Sequence, residues 1–279
     1  IQIINQNAFY NCKSLSEIEI PSSVKTISND AFKECKSLAK VTFELPSSLT
    51  HINQYAFYNC ISLSEIEIPP SVIYINKYAF GECVSLKSFK LHPSFTVINE
   101  NLFPYIQFLN EIVIPSSVKK INKNAFINCQ SLSKITFESP SSLTHIHDCA
   151  FMNCESLEQI EIPSSVVFIG ASIFDECKSL KSVILPSLIT QIPQCSFKNC
   201  SSLEEILIPS SVTQINKFAF NGCKSLSKIT FESQSSLAAI DDYAFYECSS
   251  IQYISIPSSI ICIGSKAFGN CHSLNQAEI

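Results

Sequence analysis

The stretch Ala125–Ile146, AFINCQSLSKITFESPSSLTHI, recurs with small changes along the whole chain. It combines an Ala-Phe pair, a Cys three residues after the Phe, a Ser-Leu pair, a strand-like alternating run and a Ser-rich turn. The positions that the copies share are small or apolar, which is typical of packing residues rather than of catalytic groups. The stretch therefore predicts an architecture and says little about a ligand.

The Phe of this stretch recurs at a nearly constant spacing. Successive positions differ by 23 or 25 residues, which is typical of repeat architectures. The 25-residue steps follow Phe32, Phe126 and Phe220, which are 94 residues apart, so the units occur in blocks of four. We expect residues 1–279 to form a single domain of about twelve units, cut from a longer array. The recurring residues are Phe9, Phe32, Phe57, Phe80, Phe103, Phe126, Phe151, Phe174, Phe197, Phe220, Phe245 and Phe268.

Within a unit the hydrophobic period changes. Ile18 and Ile20 alternate with Glu17 and Glu19, which predicts a short strand with one buried and one exposed side. Pro21 ends this strand because proline cannot donate to a ladder. The segment Ser28–Cys35 resembles a capped helix start, so we expect one or two helical turns there, with the Phe and Cys facing inward.

A unit of this length cannot bury its apolar side alone. Stacked units align their apolar positions into columns and form one continuous core. The sequence therefore predicts an α/β solenoid, a leucine-rich repeat array of 23–25-residue units. We expect a parallel β-sheet on the concave side and short helices or turns on the convex side.

The repeated pattern resembles the BspA-like leucine-rich repeat family. The pattern is Leu-x-x-Ile-x-Ile-Pro-x-Ser-Val-x-x-Ile-x-x-x-Ala-Phe-x-x-Cys-x-Ser-Leu, and it extends from Ile1 to Ile279. The resemblance implies a surface or secreted protein of the adhesin type, which binds host-cell or extracellular-matrix proteins. The glycine expected after the second Ile remains only at Gly170 and Gly264. Asn, Ser or Asp tolerates the same turn, so the fold prediction is unaffected.

The composition excludes several classes of function. The net charge of −5 is spread along the chain, so we expect no nucleic-acid partner. The longest apolar runs, such as Val166–Ile169, are far shorter than the roughly 20 residues that span a bilayer. We therefore expect no membrane insertion by this segment.

The 14 cysteines are the first candidates for chemistry. Eleven occupy the repeat position, where Ile106 replaces one of them, so the position requires a compact apolar group. We interpret these thiols as structural. Cys149, Cys195 and Cys262 lie outside this register, and their redox state stays open.

No set of residues predicts catalysis. The run His145-x-His147-Asp148-Cys149 resembles a metal cluster, but a zinc site needs converging ligands with a supporting second shell, and a solvated turn is the favoured interpretation. The chain shows no Ser-His-Asp set and has only 5 glycines, without a phosphate-binding loop. We expect no enzyme activity, no metal and no cofactor.

The exposed positions of the predicted strands are the candidate protein-binding residues, because a rigid repeat scaffold presents side chains there. One interpretation is that these charges only pair between units, with Lys40 between Glu17 and Glu65. The other is a mixed-charge wall with an apolar middle that docks a protein. The candidates are Glu17, Glu19, Lys40, Glu65, Glu67, Lys90, Glu111, Val113, Lys134, Glu161, Ile184, Glu205, Leu207 and Tyr253.

Three functional hypotheses remain. The favoured one is a non-enzymatic module of an adhesin that binds protein. A structural spacer or filament, self-associating through the ends of the array, is the second. An intracellular interaction scaffold is the third, because the many unpaired thiols are compatible with it. The fifth unit departs from the pattern, and Leu102 in place of Ala should push it outward. Sequence drift is the favoured interpretation, and a local bulge that exposes Tyr105 and Phe108 to a partner is the alternative.

Overall fold

Each repeat forms one turn, or rung, of a solenoid with about twelve turns of some 23 residues. A computed structural model describes all 279 residues. The chain divides into two larger units, each made of several repeats. We call residues 1–142 the first unit and residues 143–279 the second unit, and each is described by itself. In every rung, two parallel-pairing strands are joined by a short Pro-Ser turn on one side and by a longer series of turns on the other.

The first unit contains twelve strands. The odd-numbered strands have two residues each, and the even-numbered strands follow the Ser-Leu pair of each repeat. The strands are β1 (Ile3–Ile4), β2 (Glu17–Ile20), β3 (Thr26–Ile27), β4 (Lys40–Phe43), β5 (His51–Ile52), β6 (Glu65–Ile66), β7 (Tyr74–Ile75), β8 (Ser88–Phe89), β9 (Val97–Ile98), β10 (Glu111–Ile114), β11 (Lys120–Ile121) and β12 (Lys134–Phe137).

The second unit repeats this arrangement. Its odd strands again have two residues, and its even strands have three or four. They are β13 (His145–Ile146), β14 (Gln159–Glu161), β15 (Phe168–Ile169), β16 (Ser182–Ile184), β17 (Gln191–Ile192), β18 (Glu205–Ile208), β19 (Gln214–Ile215), β20 (Lys228–Phe231), β21 (Ala239–Ile240), β22 (Tyr253–Ser255), β23 (Cys262–Ile263) and β24 (Gln276–Glu278).

The strands form two separate parallel surfaces in each unit. The even strands pair two by two, β2 with β4, β6 with β8 and β10 with β12 in the first unit, and β14 with β16, β18 with β20 and β22 with β24 in the second. The odd strands form the sheets β1-β3-β5-β7 and β17-β19-β21-β23, while β9 pairs with β11 and β13 with β15. We call the two surfaces the even-strand face and the odd-strand face. The predicted parallel solenoid is confirmed, but the odd strands were not predicted.

The core consists of the columns that the sequence predicts. Val24, Ile27, Phe32, Cys35 and Leu38 of the second rung are all fully buried, and the equivalent residues of the other inner rungs are similarly buried. The Phe rings stack in file: Phe32 lies 5.1 Å from Phe57, and Phe57 lies 5.4 Å from Phe80, measured between ring centroids. Each rung therefore covers the apolar side of the next, as a repeat array requires.

The Phe file is interrupted in the fourth and fifth rungs. Phe89 occupies the strand position that is Ile or Val in neighbouring rungs, and its ring makes edge contacts with Phe80 at 5.1 Å and with Phe103 at 4.6 Å. Leu102, which replaces the usual Ala, is buried beside Phe103. Tyr105 and Phe108 of this irregular rung are each 51% exposed.

The predicted short helices are wrong, because the structure contains no helix. Within one rung, the amides of Ala31 and Lys33 donate to carbonyl oxygens three residues earlier, at 3.4 and 3.2 Å. The amide between them belongs to another ladder: Phe32 N donates to Ala56 O of the next rung at 2.8 Å. Because alternate amides bond to the neighbouring rung, the i to i−4 pattern of an α-helix cannot form.

The backbone angles agree with this pattern. In every rung, the residues two before and two after the central Phe have positive φ, as Asp30 (56°) and Glu34 (63°) do in the second rung. Asn and Asp adopt this conformation more readily than most residues, and they occupy many of these positions. These two left-handed residues, four positions apart in each rung, prevent a helix from continuing through the turn. We call this surface the turn face.

The repeat-position cysteines form a ladder of hydrogen bonds. None of the 14 cysteines forms a disulfide, and the repeat-position thiols are buried except for Cys12. Cys60 Sγ donates to Phe32 O at 3.2 Å, and Cys223 Sγ donates to Phe197 O at 3.0 Å. Burial raises the pKa of the Cys83 thiol to about 12, so this thiol stays protonated and can donate. The structural interpretation of these thiols is confirmed, with a directional bond added to their apolar role.

Candidate functional site

The even-strand face presents the predicted binding residues because its strands alternate. In β10, Ile112 and Ile114 are buried while Glu111 and Val113 are exposed. The registers align equivalent positions of neighbouring rungs, so that Glu111 lies beside Lys134 and Val113 beside Thr136. Side chains of one strand position therefore form a row along the face.

All 14 predicted residues are exposed, and the structure divides them between the two units. It does not test whether they bind a partner. The first unit carries Glu17, Glu19, Lys40, Glu65, Glu67, Lys90, Glu111, Val113 and Lys134, and the second carries Glu161, Ile184, Glu205, Leu207 and Tyr253.

A hollow of about 790 Å³ lies on the even-strand face of the first unit. Its floor contains the buried side chains Val41, Ile66, Phe89 and Leu91. Its wall contains six predicted residues together with Thr42, Ser88 and Glu138. We call it the unit 1 hollow; the predicted residues in its wall are Lys40, Glu65, Glu67, Lys90, Glu111 and Val113.

The charged groups of the unit 1 hollow do not neutralise one another. Glu17 and Lys40 are neighbours in the register, but no carboxylate lies within 4.0 Å of the Lys40 ammonium. Glu65, Glu67 and Glu111 also have no ion-pair partner. The pairing of Lys40 with Glu17 and Glu65 that sequence analysis considered is therefore absent, and these charges are available to a partner.

The backbone beneath the hollow is also incompletely paired. The β2–β4 and β10–β12 ladders each join four residue pairs, whereas the β6–β8 ladder joins only Glu65 with Ser88 and Ile66 with Phe89. Glu67 and Lys90 continue these strands beyond the ladder, and their carbonyl oxygens accept no hydrogen bond within the chain. Polar groups of the main chain thus accompany the charged side chains in the hollow.

The even-strand face of the second unit is more apolar. Ile184, Leu207 and Tyr253 are 60%, 49% and 44% exposed. One ion pair joins outward residues of neighbouring strands on this face, with Lys228 Nζ 3.6 Å from Glu205 Oε2. Tyr253 donates its hydroxyl to Glu278 Oε2 at 2.6 Å, which raises the pKa of this tyrosine. This face offers apolar contact area, whereas the first unit offers unpaired charge.

The turn face carries aromatic clusters that sequence analysis missed. In the first unit, Tyr55 stacks on Tyr78 at 5.2 Å, and the Lys33 ammonium lies 5.0 Å above the Tyr55 ring. Tyr58 donates its hydroxyl to Glu82 Oε1 at 2.7 Å. In the second unit, Phe218 stacks on Tyr243 at 5.2 Å. The recurrence of Tyr at the same position of adjacent repeats is the sequence signal that could have predicted these clusters. These rings cover one another, and we assign them a stabilising role.

Asp175 is a buried carboxylate on the turn face of the second unit. It is 6% exposed, and its Oδ1 has no hydrogen-bond partner. Burial raises the pKa of Asp175 to about 6, and the positive charge of Lys198 opposes this shift. The equivalent residue of the first unit is Gly81, 94 residues earlier.

The remaining candidates show no catalytic arrangement. His145 and His147 stack at 6.0 Å and contact Phe168, and no group of three or more His, Cys, Asp or Glu side chains is placed to hold a metal ion. Cys149 and Cys195 occupy positive-φ positions of the turn face, and Cys262 lies in β23. The structure also has no helix with the length and apolar character needed to cross a bilayer.

Comparison with solved structures identifies bacterial repeat proteins. A leucine-rich repeat protein from Bacteroides ovatus is 26% identical, with a TM-score of 0.75, and the match covers 99% of this chain and 82% of that one. A protein from Eubacterium ventriosum is also 26% identical, with a TM-score of 0.64 and coverage of 100% and 81%. A leucine-rich cell surface protein from Faecalibacterium prausnitzii is 29% identical, with a TM-score of 0.50 and coverage of 100% and 83%.

The comparison with curated proteins gave no match. The BspA-type leucine-rich repeat region matches residues 2–133, 128–236 and 190–279, which together cover nearly the whole chain. This family is generally non-catalytic, and its repeats typically mediate protein binding. The stacked Phe file, the paired even strands and these matches agree, and the chain therefore belongs to the BspA-type leucine-rich repeat family.

Proposed function

We propose that this chain is the protein-binding domain of a cell-surface or secreted adhesin, and that its even-strand face binds host-cell or extracellular-matrix protein. The similarity to the Faecalibacterium cell surface protein supports the location. The observation that carries the binding role is the concentration of unpaired charge and exposed apolar side chains on one face. Exposed apolar groups in contiguous rows are typical of interaction surfaces.

The face is suited to binding because the scaffold holds it rigidly. Each outward side chain stands next to a residue of the same strand whose side chain is buried in the core, as Glu205 and Leu207 do on either side of Ile206. A side chain held on a packed strand loses less entropy on binding than one on a mobile loop. The family is generally non-catalytic, so we assign recognition rather than catalysis to this face.

Binding to immobilised matrix proteins tests this proposal. Purified collagen, fibronectin and laminin would be compared with serum albumin. We expect capture by at least one matrix protein, weakened by Glu65→Ala/Glu67→Ala/Lys90→Ala/Glu111→Ala or by Ile184→Ser/Leu207→Ser. The control is Lys25→Ala/Lys120→Ala, which removes exposed charges outside the even strands. Capture that neither set of even-strand variants weakens would remove the binding role from this face.

A further inference from the structure

The unit 1 hollow has the dimensions of a short extended peptide. Its lining runs from β4 to the residue after β12, which is four steps between rungs. At about 4.8 Å per step, the hollow extends over about 19 Å, the length of roughly six residues in an extended chain. Its volume of about 790 Å³ lies within the range of ligand sites, although the hollow is open to solvent.

The chemistry of the lining favours a peptide over a glycan. Sugar rings stack on exposed aromatic faces, and the one aromatic residue of the lining, Phe89, is buried in the floor. The carbonyl oxygens of Glu67 and Lys90 accept no hydrogen bond within the chain, and the amides of a peptide main chain can donate to them. The apolar floor adds contact area for a side chain of the peptide.

The charge of the lining favours a cationic partner. Glu65, Glu67 and Glu111 are exposed and have no ion-pair partner, whereas the fourth carboxylate, Glu138, already accepts a hydrogen bond from Ser116 N at 3.0 Å. Lys40 and Lys90 offset only part of this charge. Opposite charge across an interface steers association and selects the partner.

The spacing of the carboxylates suggests a pattern in the peptide. Glu65 and Glu111 occupy the same strand position two rungs apart, which corresponds to about 10 Å. A polyproline II segment rises about 3.1 Å per residue and repeats every third residue, so side chains three apart lie about 9 Å apart on one side. Two cationic side chains with this spacing would each meet one carboxylate.

We propose that the unit 1 hollow binds an extended cationic peptide segment of the partner protein, with Lys or Arg side chains facing Glu65, Glu67 and Glu111. The inference rests on the proposed function and adds the chemistry of the ligand. The second unit, whose face is more apolar, does not take part in this contact.

Fluorescence anisotropy with synthetic peptides tests the inference. The probe is an eight-residue Pro-containing peptide with two Lys three residues apart, and its matched control carries Glu at both positions. We expect the Lys peptide to bind at least about tenfold more tightly at low salt. Glu65→Gln/Glu67→Gln/Glu111→Gln should weaken it by about tenfold, because three exposed charge contacts are lost.

The matched variant Glu158→Gln/Glu204→Gln removes two exposed carboxylates of the second unit that lie outside the candidate binding residues, and it should leave peptide binding unchanged. Equal binding of both peptides, or unchanged binding by the triple variant, would overturn the inference. If matrix capture persists in the triple variant and is lost in Ile184→Ser/Leu207→Ser, the proposed function stands and the cationic peptide fails. If no matrix protein is captured by any form, the proposed function itself fails.

Discussion

The even-strand faces of the two units have one backbone pattern and different surfaces. In the first unit the outward rows carry Glu65, Glu67, Lys90 and Glu111 around a hollow. The equivalent rows of the second unit expose apolar side chains such as Ile184 and Leu207. Because the buried inward residues of these strands are apolar in both units, the core is insulated from this change. The comparison shows that packing fixes the inward residues, while the outward residues are free to specialise.

The largest expected effect lies in the shared core. Phe57→Ala in the first unit and Phe174→Ala in the second should each lower the free energy of unfolding by about 3–5 kcal/mol, because each removes a fully buried ring from a stacked file. Urea unfolding followed by circular dichroism measures the loss. The control is Phe108→Ala, which truncates a ring that is 51% exposed. A core variant no more costly than this control would contradict the equivalence of the two cores.

The same experiment addresses domain organisation. We propose that residues 1–279 act as a single repeat domain, since each rung is stabilised by its neighbours. Both core variants should then shift one common unfolding transition. Two transitions, each moved by only one of the variants, would contradict the proposal.

An effect of intermediate size is expected at the position where the second unit has Asp175 and the first unit has Gly81. Asp175 of the second unit holds its proton more tightly in the folded chain than in the unfolded chain, since burial raises its pKa from 3.8 to about 6. Its contribution to stability is therefore complete below about pH 4 and is lost as the pH rises through about 6. Asp175→Asn should stabilise the protein by about 1–3 kcal/mol at pH 7 and give no gain at pH 3.5.

Thermal unfolding of wild type and variant across this pH range measures the difference. Glu204→Gln is the control, because it makes the corresponding acid-to-amide change at an exposed carboxylate of the second unit. A constant difference between wild type and Asp175→Asn from pH 3.5 to pH 7 would show that the buried carboxylate does not titrate as described.

The smallest expected effect compares two equivalent pairs. Glu205 and Lys228 form an exposed ion pair at 3.6 Å, whereas Glu17 and Lys40, 188 residues earlier, are register neighbours without one. A double-mutant cycle with alanine should give a coupling of a few tenths of a kcal/mol for the first pair and none for the second. If chemical denaturation gave equal coupling energies for the two pairs, the strand register rather than the ion pair would determine the interaction energy.

The sequence predicted the features that packing determines. The spacing of Phe32, Phe57 and Phe80 gave the number and register of the rungs, and the alternation around Ile112 gave the outward residues. The helices were predicted wrongly because Ser28–Cys35 resembles a capped helix start, whereas Asp30 and Glu34 within this segment adopt positive φ. That conformation depends on amide bonds to the next rung, which a single repeat does not reveal.

Other features depend on long-range geometry. The odd strands are only two residues long, too short for periodicity to detect, although Thr26-Ile27 and His51-Ile52 occupy the same place in successive repeats. The unit 1 hollow requires the shortened β6–β8 ladder, and Phe89, which stands where neighbours carry Ile or Val, was the one local signal. The absence of an ion pair at Lys40 follows from side-chain conformations that the pattern cannot specify.

The ladder of turn amides has an evolutionary consequence. Since Phe32 N donates only to Ala56 O of the adjacent rung, a block of rungs can be copied or deleted without altering hydrogen bonds elsewhere. Because the blocks recur every 94 residues, unequal recombination between two blocks keeps the pattern of buried and exposed positions. Glu44, Glu138 and Glu232, which accept the amides of Ser22, Ser116 and Ser210, recur at the same point of every block. The protein can therefore be lengthened or shortened by four rungs at a time, and the outward residues of each new copy can change independently.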